Sequence, residues 1–124
     1  MSAGQANGGS AGGADRPSHV TTHVLDTARG CPAAGVPVEL VGPDGTPLAR
    51  AMTDADGRVP DLGPRTLAPG AYRLVFDVAT YAATSGQDVF FHRVTVDIAV
   101  TDATGHLHVP LLLSPFGYTT YRGS

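Results

Sequence analysis

Two of the five histidines, His106 and His108, stand two residues apart in the run His106-Leu-His-Val-Pro-Leu-Leu-Leu-Ser-Pro115. Along an extended strand, successive side chains point to opposite faces, so these imidazoles share one face while Leu107, Val109, Leu111 and Leu113 occupy the other. A third, His23, lies in His19-Val-Thr-Thr-His-Val-Leu25, where Val20, Thr22 and Val24 alternate with His19, Thr21, His23 and Leu25. Imidazole is the side chain whose ordinary pKa suits proton transfer near neutral pH, so His23 and His108 are candidates for acid–base work. His106 and His108 could also approach a zinc ion together, but no third ligand with metal-like spacing accompanies them, and no metal is expected. Asp54-Ala-Asp-Gly57 resembles the opening of a calcium loop, yet Arg58 takes the fifth position and no glutamate closes it.

Arg58 and Arg122 are most simply solvated charges, although a guanidinium fork is well suited to gripping a planar anion. Tyr118 and Tyr121 read as ordinary strand aromatics, with Tyr121 able to shape a pocket. His19 and His106 read as structural groups or as support for the other histidines. Cys31 is the single cysteine; between Gly30 and Pro32 it reads as a spectator thiol in a loop, with no disulfide and no cysteine-rich metal site. A chain end usually frays into polar residues. Here a block of leucines is followed by Tyr121-Arg-Gly-Ser124.

The elements that must carry these groups are short strands. Residues 19–25, 36–41, 48–53, 71–78 and 91–100 are β-branched or alternate in polarity. Gly42-Pro-Asp-Gly-Thr46 and Asp54-Ala-Asp-Gly-Arg58 between them are turns, with Gly57 available for a positive φ. Tyr72, Leu74, Phe76 and Val78 share one face, as do Val94, Val96, Ile98 and Val100. Residues 26–35 read as loop, 59–69 as irregular and 101–105 as a turn. Ser114-Pro115 marks a break before the last strand, and residues 79–87 could form one short helix ended by Gly86. Seven to eight strands at spacings near ten residues predict an all-β antiparallel sandwich.

With 124 residues, 42% hydrophobic, the chain fits one domain, and 16 glycines with ten prolines suit strands and tight turns better than long helices. Residues 1–18, rich in Gly, Ala and Ser, read as a flexible tail before a domain spanning 19–124. A net charge of −3 with only 8 basic residues argues against nucleic acid. The absence of a long apolar run argues against a membrane, and the absence of a leader pattern makes the reducing cytoplasm the default.

Residues 35–78, with Gly35-Val-Pro-Val-Glu-Leu40, Thr53-Asp-Ala-Asp-Gly-Arg58 and Leu67-Ala-Pro-Gly-Ala-Tyr-Arg-Leu74, are similar to prealbumin-like modules that bind or space without chemistry. The wider stretch from His23 to Ser124 resembles the transthyretin-like 5-hydroxyisourate hydrolases of urate degradation. Thr22-His-Val-Leu-Asp-Thr-Ala-Arg-Gly30, Asp56-Gly-Arg58, Phe90-Phe91, His108-Val-Pro-Leu-Leu-Leu113 and the terminal Tyr-Arg-Gly-Ser carry that resemblance. It implies a transthyretin-like sandwich, a catalytic set of His23, Arg58, His108 and Ser124, and substrate contacts from His23, Arg58, Tyr121, Arg122 and Ser124. It further implies a homotetramer, a dimer of dimers with a shared channel, and no cofactor. The implied reaction opens the six-membered ring of 5-hydroxyisourate to 2-oxo-4-hydroxy-4-carboxy-5-ureidoimidazoline. His23 and His108 would move protons, and Arg58, helped by Arg122 and Ser124, would orient substrate and stabilise oxyanion charge. Two positions depart from the family pattern: Leu107, where an aromatic is usual, and His92, where proline is common. Because Leu107 lies on the core face, altered packing is expected there rather than lost chemistry. A non-catalytic carrier resembling transthyretin, or a spacer module, is the alternative; neither needs the histidine pair or the terminal tetrapeptide.

Overall fold

The computed structural model describes residues 17–102 and 105–124. The expected tail up to residue 16, and residues 103 and 104 of the expected turn at 101–105, therefore lie outside the described residues.

Two sheets face each other. One runs in the order β2-β1-β8-β9, with β5 also pairing β1, and is built from β1 (Val20–Asp26), β2 (Cys31–Pro32), β5 (Arg58–Val59), β8 (Leu107–Ser114) and β9 (Gly117–Thr120). The other runs β4-β3-β6-β7, from β3 (Pro37–Val41), β4 (Pro47–Met52), β6 (Gly70–Asp77) and β7 (Arg93–Val100). The alternation read from sequence supplies the core. Val20 and Val24 of β1 and Leu111 of β8 are fully buried, and so are Leu40, Leu74, Phe76 and Val94 from the opposing sheet. Each such side chain contributes roughly 1.5–3 kcal/mol by leaving water. Leu107 is buried with them, as its parity required.

The sandwich departs from the expected antiparallel pattern at one ladder. β1 and β8 are parallel, with Val20 opposite Leu107, Thr21 opposite His108 and His23 opposite Pro110. Parallel neighbours need a long crossover, and here the intervening chain supplies it by building the second sheet. Two further strands, each of two residues, lie inside segments expected to be irregular. Cys31 thus sits in β2, paired with Asp26, rather than in a loop. Likewise β5 is the short continuation of the turn at 54–57. Val78 is the first residue of the helix α1 (Val78–Ser85) instead of the last residue of a strand, and β7 begins at Arg93 rather than Phe91.

The helix is stopped at both ends by local chemistry. Asp77 accepts the Thr80 N–H at its N-terminus, and Gly86 closes the other end with φ of 69°. A buried carboxylate helps to hold α1 to the sheet, beside the buried Val78 and Tyr81 of the core. Asp26 is fully enclosed and accepts the Tyr81 hydroxyl at 2.6 Å, the Gln87 amide at 2.7 Å and the Arg29 N–H at 3.0 Å. Burial alone would raise the Asp26 pKa, but these donors outweigh it and the group stays below its ordinary value. Tyr81 is pushed up to about 12, by burial first and then by the adjacent carboxylate.

Candidate active site

The site grows on the outer face of the β1–β8 ladder, opposite the core. The turn Asp54–Gly57 makes it possible. Gly57 takes φ of +77°, and its backbone crosses so close to β1 that a Cβ would overlap the Val24 carbonyl oxygen. This lays Arg58 directly opposite His23 in the antiparallel β1–β5 register. The turn also fixes the His23 tautomer. His23 Nε2 lies 2.9 Å from the Asp56 carbonyl oxygen, an atom that can only accept, so Nε2 carries the proton and Nδ1 presents the lone pair.

His108 is held from the neighbouring strand. Its Nδ1 lies 2.8 Å from the Thr21 hydroxyl, which is also 3.0 Å from His106 Nε2. Nε2 is the His108 nitrogen left for a reactant. Both candidate bases are kept uncharged. Burial, then the Arg58 guanidinium, lowers the His23 pKa, with the Asp56 carbonyl and the Asp54 and Asp56 charges opposing. Burial, then Arg58, then His106 and His23, lowers that of His108. Near pH 7 two neutral imidazoles therefore share a surface with one obligate cation, a combination able to activate water and steady an oxyanion.

The last residues fold across this surface. β9 pairs antiparallel with β8, and the same register continues to a bridge between His108 and Gly123, where the Gly123 N–H donates to the His108 carbonyl at 2.7 Å. A Cβ on Gly123 would lie 2.8 Å from His108 Cδ2 and 3.1 Å from Pro110 Cγ. A glycine is needed for so close an approach. Ser124 follows it directly, and Tyr121, Arg122 and Ser124 are exposed.

The structure thus brings His23, Arg58 and His108 together, with the terminal segment against His108. Thr21 is a polar residue of the site that spacing left without a role. Its position between two imidazoles depends on the β1–β8 register, which strand alternation does not reveal. His106 adjoins His108 through Thr21, and His19 is buried with Nδ1 accepting the Leu67 N–H at 2.9 Å, a structural task. No group of three or more His, Cys, Asp or Glu among the described residues is arranged to hold a metal.

Two facing sheets with paired neutral imidazoles and a guanidinium on one outer face define a transthyretin-like protein with a site suited to hydrolysis. The chain belongs to the HIUase/Transthyretin family, whose description matches residues 20–123. It is 47% identical over 114 residues to the 5-hydroxyisourate hydrolase of Caulobacter vibrioides, spanning 86% of this chain and 99% of that protein. Among solved structures it is similar to Klebsiella pneumoniae 5-hydroxyisourate hydrolase, with a TM-score of 0.78, 37% identity, and 85% and 98% of the two chains covered. Sea bream transthyretin in complex with thyroxine also gives a TM-score of 0.78, at 31% identity over 84% of this chain and 93% of that one. The backbone fits enzyme and carrier equally well, so the side chains on the β1–β8 face must distinguish them. No helix among the described residues is long and apolar enough to cross a membrane.

Proposed function

We propose that this protein is a hydrolase that opens the six-membered ring of 5-hydroxyisourate to 2-oxo-4-hydroxy-4-carboxy-5-ureidoimidazoline, a step of urate degradation. The observation that carries the reading is the cluster of His23, Arg58 and His108 on one sheet face, with His23 Nδ1 and His108 Nε2 turned away from their structural hydrogen bonds. One imidazole takes a proton from water as it adds to the ring carbonyl, and the other supplies a proton to the departing nitrogen. Arg58 stabilises the oxyanion, while Tyr121, Arg122 and the Ser124 hydroxyl orient the planar substrate. No cofactor takes part.

A flat sheet face shelters no reactive water, so the reading includes a homotetramer in which faces from two subunits enclose the site. Exposed aromatics support association with further copies. Phe90 and Phe116 are 66% and 70% exposed, Phe91 packs edge-on to Tyr118, and β7 and β9 are each the last strand at one edge of their sheets. The reading places the chemistry in residues 19–124, preceded by a tail at 1–18, and the protein in the cytoplasm.

The test is to generate 5-hydroxyisourate from urate with urate oxidase and follow its ultraviolet absorbance with wild type and with His108→Ala. Fast decay with wild type and near-background decay with the variant supports the hydrolase. Background decay with both, from a folded tetramer, would leave the carrier alternative, which has the same fold as sea bream transthyretin in complex with thyroxine. Sedimentation of the same preparations reads the assembly state.

A further inference from the structure

We propose that the Thr21 hydroxyl is the centre of a proton relay joining His108 to solvent through His106. The inference rests on the hydrolase reading and deepens it. Thr21 is 6% exposed, and its one oxygen lies within hydrogen-bond reach of both His108 Nδ1, at 2.8 Å, and His106 Nε2, at 3.0 Å. A hydroxyl has a single hydrogen to donate and can accept at the same time, so the two imidazoles cannot both accept from it. Two arrangements run a continuous hydrogen-bond chain through it, in opposite directions.

In the first, His108 Nδ1–H donates to Thr21, Thr21 donates to His106 Nε2, and His108 Nε2 bears a lone pair. In the second, His106 Nε2–H donates to Thr21, Thr21 donates to His108 Nδ1, and His108 Nε2 bears a proton. The first is the base form of His108 and the second the acid form. When His108 Nε2 takes a proton from the attacking water, its Nδ1 proton passes to Thr21. The Thr21 proton passes to His106 Nε2, and His106 releases its Nδ1 proton to solvent. Each group ends neutral, one N–H or O–H bond forming for every one broken. Donation from His108 Nε2 to a leaving nitrogen runs the same sequence backwards, with water supplying the proton to His106. His106 is exposed while His108 is half-buried, so the relay lets the inner imidazole exchange protons while substrate covers it. Ring-amide hydrolysis near neutral pH ends in a carboxylate and hence releases a net proton, which needs such an exit.

Thr21 and His106 act here as positioning and relay residues, since neither has to touch substrate. The experiment compares wild type, Thr21→Val, Thr21→Ser and His106→Ala in the 5-hydroxyisourate decay assay, with and without free imidazole. Valine keeps the shape and removes the hydroxyl; kcat is expected to fall about 10- to 100-fold, within the range for a proton-transfer contribution, with KM within about twofold. Thr21→Ser should recover most of the rate. His106→Ala should fall about tenfold and recover with millimolar imidazole, which leaves wild type unchanged. A purely structural Thr21 would give no imidazole rescue. Wild-type turnover together with an unimpaired Thr21→Val, an equally impaired Thr21→Ser, or a His106→Ala loss that imidazole does not restore would overturn the relay. Absence of wild-type turnover would instead defeat the hydrolase reading itself. If Thr21→Val does not fold, His106→Ala with imidazole decides alone, because His106 is at the surface.

Discussion

Replacing Gly123 by alanine adds one methyl group at the point where the chain end meets His108. Gly123 is not in the positive-φ region, so alanine strains no backbone dihedral and the effect is one of space alone. The new Cβ would lie 2.8 Å from His108 Cδ2, 3.1 Å from Pro110 Cγ and 3.3 Å from Pro110 Cδ. Ordinary carbon–carbon contact begins near 3.5 Å, so relief requires about 0.7 Å of movement. Pro110 is buried within the β8 ladder and gives little. If the His108 ring moves, its 2.8 Å contact with Thr21 lengthens to the limit of a useful hydrogen bond. If the terminus moves, the 2.7 Å bond from Gly123 N–H to the His108 carbonyl is lost and Ser124 is displaced with it. Misplacement near 1 Å at a reacting centre costs on the order of 100-fold, so kcat/KM should fall by about 10- to 100-fold. Stability should fall by no more than about 1.5 kcal/mol, the worth of one hydrogen bond at an exposed chain end. Decay of 5-hydroxyisourate gives the first quantity and the urea midpoint the second. Activity within about twofold of wild type would refute the reasoning, since it would mean that the terminal segment does not position His108.

Arg58→Gln removes a cation that depresses both His23 and His108. Because the proposed mechanism works with uncharged imidazoles and burial with Arg58 holds both below their ordinary 6.5, wild-type kcat/KM should hold as pH falls to that value. The variant should lose activity at a higher pH and with a lower plateau; an acid limb that stays put would exclude Arg58 as the cause. The same lowered values mean that the unfolded chain binds more protons, so wild-type stability should decline as pH falls below 6.5. Tyr81→Phe removes the 2.6 Å donor to Asp26 and should cost about 1.5–3 kcal/mol at pH 7 by urea unfolding. Tyr81 keeps its proton in the fold up to about 12, so wild type should lose stability as pH rises above 10, and the variant should lack that component. Gly57→Ala, at φ of +77° and against the Val24 carbonyl, should cost more than about 1 kcal/mol and lower activity by parting Arg58 from His23. Thermal melts and the decay assay read both.

Faces and turns were legible in the sequence because their causes are local. Strand side chains alternate with a period of two whatever the partner, so Leu107, Val109, Leu111 and Leu113 are buried while His108 stays on the other side. Gly57 and Gly86 announced a turn and a helix end because few other residues tolerate their backbone angles. The candidate residues His23, Arg58 and His108 were nameable through the family resemblance and their positions in these elements. Which strands would be neighbours was not legible, since pairing links residues such as Thr21 and His108 that lie far apart in the chain and is chosen by the packing of the whole sandwich. Strand alternation therefore assigned Thr21 to the imidazole face but could not set it between His106 and His108. Nor could composition show that Asp26, in a segment read as loop, would be buried and bound by Tyr81 and Gln87 from the helical side. The sequence by itself determined which side chains each strand turns toward the core and where the chain can reverse. Only the tertiary structure decided which of the outward-facing groups meet, because their proximity is a property of register between strands and not of any one strand.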